Sequence, residues 1–151
     1  MKKPKVGIIL GSKSDLAVLE KTENQLKAFG IGYDLTIASA HRTPKKVETY
    51  AKNAENNYDL IIAAAGMAAA LPGVIAAHTT LPVIGIPIHS KGLGGHDALF
   101  SIVQMPPGVP VASVAIDGGK NAAILAAQIL ALKYPELKAK LKKLKTELAK
   151  G

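Results

Sequence analysis

Leu60-Ile61-Ile62-Ala63-Ala64-Ala65 places six apolar residues in a row, followed at once by Gly66. A half-buried strand alternates apolar and polar residues. One without alternation needs cover on both faces, which is the pattern of a parallel sheet between two helical layers. On either side of this segment the chain alternates strand-like and helix-like stretches. Strands are expected at 6–10, 33–38, 60–65, 82–86 and 110–116. Between and after them the pattern predicts helices from Ser14 or Asp15 to Phe29, ended by Gly30, and from Thr43-Pro44 to about 56. Further helices are expected at 68–78, 96–104 and 120–133, with a last one opening at Pro135 and running to about 150. Ser and Asp suit helix starts, Pro suits a first turn, and Gly suits an end. Repeated β-α units imply right-handed crossovers in one sheet. The expected fold is therefore a three-layer α-β-α, flavodoxin-like or Rossmann-like domain of about five parallel strands plus a Lys-rich C-terminal helix, with residues 1–151 forming one domain.

Composition narrows the function. The 151 residues include no Cys, which excludes disulfides, thiolate chemistry and Cys-based metal sites. The net charge of +8 invites a nucleic-acid reading, but it sits at the ends. Residues 133–150 carry seven Lys against two Glu, and Lys2, Lys3 and Lys5 add three more positive charges. With two Phe, four Tyr and no Trp there is also little to stack on bases. A solvated basic helix is the better reading, and no nucleic-acid partner is expected. The basic start, Met1 to Lys5, precedes only a short apolar run, so neither a signal peptide nor a membrane span is expected, and the location expected is cytoplasmic. Two helical stretches, 68–77 and 121–132, are apolar nearly all round. A helix of that kind needs cover on more than one side, which predicts a homo-oligomer.

In open parallel sheets ligands collect beyond the carboxyl ends of the strands, and three successive strand ends here are unusual. The first is Gly11-Ser12-Lys13-Ser14-Asp15. It has a glycine for close approach, two hydroxyls, a helix start with free N–H groups, and a carboxylate suited to sugar hydroxyls. It matches neither a dinucleotide fingerprint nor a P-loop. The second is Ser39-Ala40-His41-Arg42-Thr43-Pro44, with the one arginine in a chain of eighteen lysines. A planar guanidinium grips phosphate or carboxylate in two-pronged fashion, and a neighbouring imidazole transfers protons near neutrality. The third, Gly66-Met67-Ala68-Ala69-Ala70-Leu71-Pro72-Gly73, offers backbone N–H groups and a floor of small side chains. The other histidines, His78, His89 and His96, have no persuasive metal spacing with carboxylates, so no metal is expected. The serines lack a nucleophile elbow.

Together with Ser101-Ile102-Val103-Gln104-Met105-Pro106 and Asn121-Ala122-Ala123-Ile124-Leu125-Ala126-Ala127, these stretches resemble the PurE family of N5-carboxyaminoimidazole ribonucleotide mutases over residues 6–132. The resemblance implies a cofactor-free enzyme of purine synthesis, usually a homo-octamer with sites at subunit boundaries, acting on a small ribonucleotide and carbon dioxide. On the family pattern Ser12, Ser14 and Arg42 would hold the phosphate, with Gly11 admitting it, and Asp15 would hold the ribose. Ser39 and His41 would face the reacting ring, His41 as general acid and base. Gly66, Met67, Ala68, Ala69, Ala70 and Leu71 would line the imidazole pocket. One departure stands out. Mutases of the family usually carry His immediately before Leu-Pro-Gly, and here that position is Ala70. A related branch without that His carboxylates aminoimidazole ribonucleotide directly with carbon dioxide, but that branch often has Lys at the Arg42 position and lacks Pro72. Both activities stay open, the mutase favoured. A nucleotide-binding module without catalysis is the non-enzyme alternative.

Overall fold

The computed structural model describes residues 2–151. Five strands form one parallel sheet in the order β2-β1-β3-β4-β5. They are β1 (Lys5–Leu10), β2 (Gly32–Ile37), β3 (Leu60–Gly66), β4 (Val83–Ile88) and β5 (Ala112–Ser113). This is the flavodoxin-like order, in which the chain reverses its direction of travel across the sheet between β1 and β3. The six helices are α1 (Leu16–Phe29), α2 (Pro44–Asn53), α3 (Leu71–Ala76), α4 (His96–Val103), α5 (Gly119–Leu130) and α6 (Leu137–Leu148).

The side chains of the central strands point alternately into two separate cores. Val6, Ile8, Leu10, Ile62, Ala64, Ile84 and Ile86 pack against α1, α5 and α6. Ile9, Ile61, Ala63, Ala65 and Val83 pack against α2, α3 and α4. The uninterrupted apolar run of β3 is thus explained, since both of its faces are buried. Small residues let the layers approach closely. At the start of α5, a Cβ on Gly119 would lie 2.4 Å from the Val18 carbonyl oxygen and 2.7 Å from Thr22 Oγ1. The buried Thr22 hydroxyl instead donates to the Gly119 carbonyl at 2.9 Å.

Several expected boundaries shift, each for a local reason. Asp15 takes the N-cap position of α1, as expected, but its side chain makes no capping hydrogen bond. The Ser12 hydroxyl accepts from the Ser14 N–H at 3.3 Å and caps a 3-10 turn over Lys13–Asp15, and α1 follows from Leu16. The helix expected from 68 starts only at Leu71, because Met67 has φ of +56° and the next three residues form tight turns. Strand β4 runs two residues beyond its expected end, pairing Ile88 with Gly66. Strand β5 shrinks to two residues, since beyond Ser113 the chain keeps only separate bonds to β4, from the Val114 N–H to Gly85 and from the Asp117 N–H to Pro87, and no regular ladder. The apolar surface of α5 is answered within the chain, by α1, the sheet and α6 together, so its composition does not require a partner subunit. Exposed apolar side chains lie elsewhere, at Leu93, Phe100 and Val103 around α4 and at Leu132. Among the described residues, no helix is long and apolar enough to cross a membrane.

Candidate active site

The loops following β1, β2 and β3 come together at the carboxyl edge of the sheet because those three strands are neighbours in it. Between them opens a cleft of about 610 Å³, within the range of small-molecule sites. Every residue given a role on the family pattern lines this cleft. Gly11, Ser12, Ser14 and Asp15 come from the first loop, and Ser39, His41 and Arg42 from the second. The stretch from Gly66 to Leu71 comes from the third.

The first loop forms a hydroxyl pair, with Ser12 Oγ and Ser14 Oγ 2.9 Å apart. A Cβ at Gly11 would meet nothing within 4 Å, so packing does not demand glycine there. What glycine leaves free is cleft space and backbone access. Burial pushes the Asp15 carboxyl above its ordinary value. A hydrogen bond from Ser14 opposes this, and the negative charge of Asp117 adds to it.

The second loop is braced before any ligand arrives. The Thr43 N–H and hydroxyl donate to the Ser39 carbonyl at 2.8 and 3.1 Å, and the Ser39 N–H donates to Thr43 Oγ1 at 2.9 Å. The Arg42 N–H donates to Ser39 Oγ at 3.1 Å. Across the cleft, Arg42 Nη2 donates to the Gly11 carbonyl at 3.1 Å, tying the second loop to the first. One guanidinium N–H is engaged there, and four remain for an anion. Both His41 and Arg42 are exposed to the cleft solvent.

The third loop carries no ionisable side chain from Met67 to Ala70. Ala69 and Leu71 are buried beneath it, while Met67 is 68 % exposed at the rim. Its left-handed backbone is costly for a residue other than glycine, and strain of this kind collects at functional sites.

The end of β4 supplies a further wall, Ile88, His89 and Ser90, none of which was given a place in the site from the sequence. The strand-end rule that found the other three loops also applies here. It missed this wall because β4 was read two residues short. Among the described residues, no group of three or more His, Asp or Glu side chains could hold a metal ion.

Fold and cleft together define a flavodoxin-like α/β protein with a ligand-sized site at the carboxyl edge of its sheet. More narrowly, the chain belongs to the AIR carboxylase family, whose model matches residues 5–151. It is 57 % identical over 146 residues to the N5-carboxyaminoimidazole ribonucleotide mutase of Pyrococcus abyssi, covering 96 % of this chain and 84 % of that protein. Identity to the mutase of Thermotoga maritima is also 57 % over 146 residues, covering 96 % of this chain and 85 % of that one. The crystal structure of Treponema denticola PurE superimposes with a TM-score of 0.90 at 35 % identity, covering 98 % of this chain and 93 % of that one.

Proposed function

We propose that this protein converts N5-carboxyaminoimidazole ribonucleotide to 4-carboxyaminoimidazole ribonucleotide in purine synthesis. The observation that carries this reading is the junction of two kinds of chemistry in one cleft. The Ser12–Ser14 hydroxyl pair and the Arg42 fork suit a phosphate, and His41, adjacent to Arg42, opens into the same space above a floor of small side chains. Relatives at 57 % identity are named for this reaction, while one at 54 % identity, from Schizosaccharomyces pombe, is named a phosphoribosylaminoimidazole carboxylase.

In this reading Arg42, Ser12 and Ser14 hold the phosphate and Asp15 the ribose. The bond between the exocyclic nitrogen and its carboxylate breaks, releasing carbon dioxide as His41 gives that nitrogen a proton. The ring carbon then attacks the trapped carbon dioxide, and His41 removes the proton from that carbon, so the imidazole ends as it began. Proton transfer of this kind contributes ~100- to 10,000-fold. Confinement of carbon dioxide against the small-residue floor of Ala68 to Ala70 supplies proximity.

Ala70, standing where mutases of the family usually carry His, favours a second reading: direct carboxylation of aminoimidazole ribonucleotide in the same cleft. The test is to give the purified protein either the N-carboxylated nucleotide alone or aminoimidazole ribonucleotide with bicarbonate. Efficient conversion of the first supports the mutase, and conversion of the second alone overturns it in favour of the carboxylase. Binding of nucleotide without turnover of either would leave a binding module. Exposed Phe100 and Val103 on α4 support assembly into a homo-oligomer, which sedimentation would measure.

A further inference from the structure

The cleft holds four ionisable side chains, Asp15, His41, Arg42 and His89. The reaction proposed above uses three. We propose that His89 is a substrate-binding residue that hydrogen-bonds the ribose on the side served by Asp15, and that Asp117 is its positioning residue. This inference rests on the proposed nucleotide site and deepens it.

Three features of the β4 end support it. First, the backbone under His89 is fixed while its side chain is free. The His89 N–H donates to Asp117 Oδ1 at 2.9 Å, and the Asp117 N–H donates back to the Pro87 carbonyl at 2.8 Å, so Asp117 clasps the end of β4. On its other side Gly95, at φ of +90°, folds so close that a Cβ there would sit 3.3 Å from His89 Cα. The imidazole itself is exposed and lines the cleft.

Second, Asp117 holds this clasp in a left-handed conformation, φ of +57°, which is costly for a residue with a Cβ. With Met67 it is one of two such residues among those described; Met67 directly follows β3 and lines the cleft, and Asp117 lies in the turn just before α5. Asp117 stands two residues before Gly119, where a Cβ would lie 2.4 Å from the Val18 carbonyl oxygen, so the clasp packs close to the start of α1, which follows directly on Asp15.

Third, position assigns His89 a task different from that of His41. Strands β2 and β4 are separated by β1 and β3, three inter-strand spacings or about 14 Å at the level of the sheet. His41 and His89 thus enter the cleft from walls on either side of the β1 and β3 loops, which suits them to different parts of one nucleotide. An imidazole and a carboxylate together, one able to donate and the other to accept, suit a pair of sugar hydroxyls.

The experiment uses the full chain and two readouts. In steady-state turnover, His89→Ala is expected to raise KM roughly tenfold with kcat within about twofold, the mark of a contact made equally in ground and transition states. His89→Gln, which keeps a side-chain donor, should recover most of the loss. Asp117→Gly removes the clasp together with the strain, so its melting temperature should hold or rise while KM rises in the same direction. Asp117→Asn, which keeps the accepting oxygen, should restore KM. In the second readout, calorimetric titration with ribose 5-phosphate, wild type should bind more tightly than His89→Ala. Equal affinities, no binding by wild type, or a fall in kcat at unchanged KM would overturn the inference. If wild type turns over neither nucleotide yet the ribose 5-phosphate difference holds, the reaction assignment fails and the role of His89 stands.

Discussion

Replacing Arg42 by Lys isolates the geometry of the phosphate grip from its charge. The main chain at this position is secured independently, by the Arg42 N–H on Ser39 Oγ and by the Thr43 bonds to Ser39, so the substitution should not move the loop. The side chain is exposed, and its one hydrogen bond to another described residue is the 3.1 Å bond from Nη2 to the Gly11 carbonyl. Water can replace that bond, so the stability of Arg42→Lys should stay within about 0.5 kcal/mol of wild type. Binding should change much more. Of five guanidinium N–H groups four are free to face an anion, arranged in a plane that matches two phosphate oxygens, whereas an ammonium offers a point charge. A hydrogen bond to a charged group contributes about 1.5–3 kcal/mol, and Lys keeps part of the Coulombic share. The expected loss is therefore about 1–2 kcal/mol, or about 5- to 30-fold in Kd. Arg42→Ala, which also removes the charge, should lose more. Calorimetric titration with the nucleotide measures all three proteins, with thermal unfolding as the control. A Kd for Arg42→Lys within twofold of wild type, or a loss confined to kcat, would refute the argument that this guanidinium grips phosphate as a fork.

Other consequences follow from the same geometry. His41→Asn should fold and bind nucleotide normally while kcat falls ~100- to 10,000-fold, measured by steady-state kinetics; full activity would end the proton-transfer role. For Asp59, burial is the largest influence and raises its carboxyl value. The Lys133 ammonium, the Lys5 N–H and the Tyr134 hydroxyl together outweigh it and hold the group below the usual carboxylate range. The stability this contributes is present above the unfolded carboxylate value and is lost as pH falls through the lower folded value. Asp59→Ala should thus cost about 1–3 kcal/mol at pH 7, and chemical denaturation should show the gap closing in acid. Met67→Gly relieves a left-handed backbone worth about 1–2 kcal/mol and gives back about 0.5–1 kcal/mol in chain entropy. With the Met67 side chain 68 % exposed, a small net rise in melting temperature is expected, and a clear fall would mean that this side chain makes a contact the backbone argument omits.

Much of the candidate site is legible because its residues are short-range signals. His41 beside the lone arginine, and serines beside a glycine at a strand end, are read from a few consecutive positions. His89 and Ser90 carry no such local mark. Their place in the cleft depends on β4 lying beside β3 and on how far its pairing extends, to Ile88 opposite Gly66. The clasp of Asp117 on His89 joins residues 28 apart and is not visible in either segment alone.

Hydrophobic period and turn chemistry set the alternation of strands and helices, and the unbroken apolar run of β3 was enough to require a parallel sheet covered on both faces. Those patterns record that a face must be buried. They do not record what buries it. Tertiary structure alone decided that α1 and α6 cover α5, that a left-handed Met67 delays α3, and that Arg42 reaches Gly11, 31 residues away. Each of these depends on which strands become neighbours, a property of the whole packed sheet that no local window of residues contains.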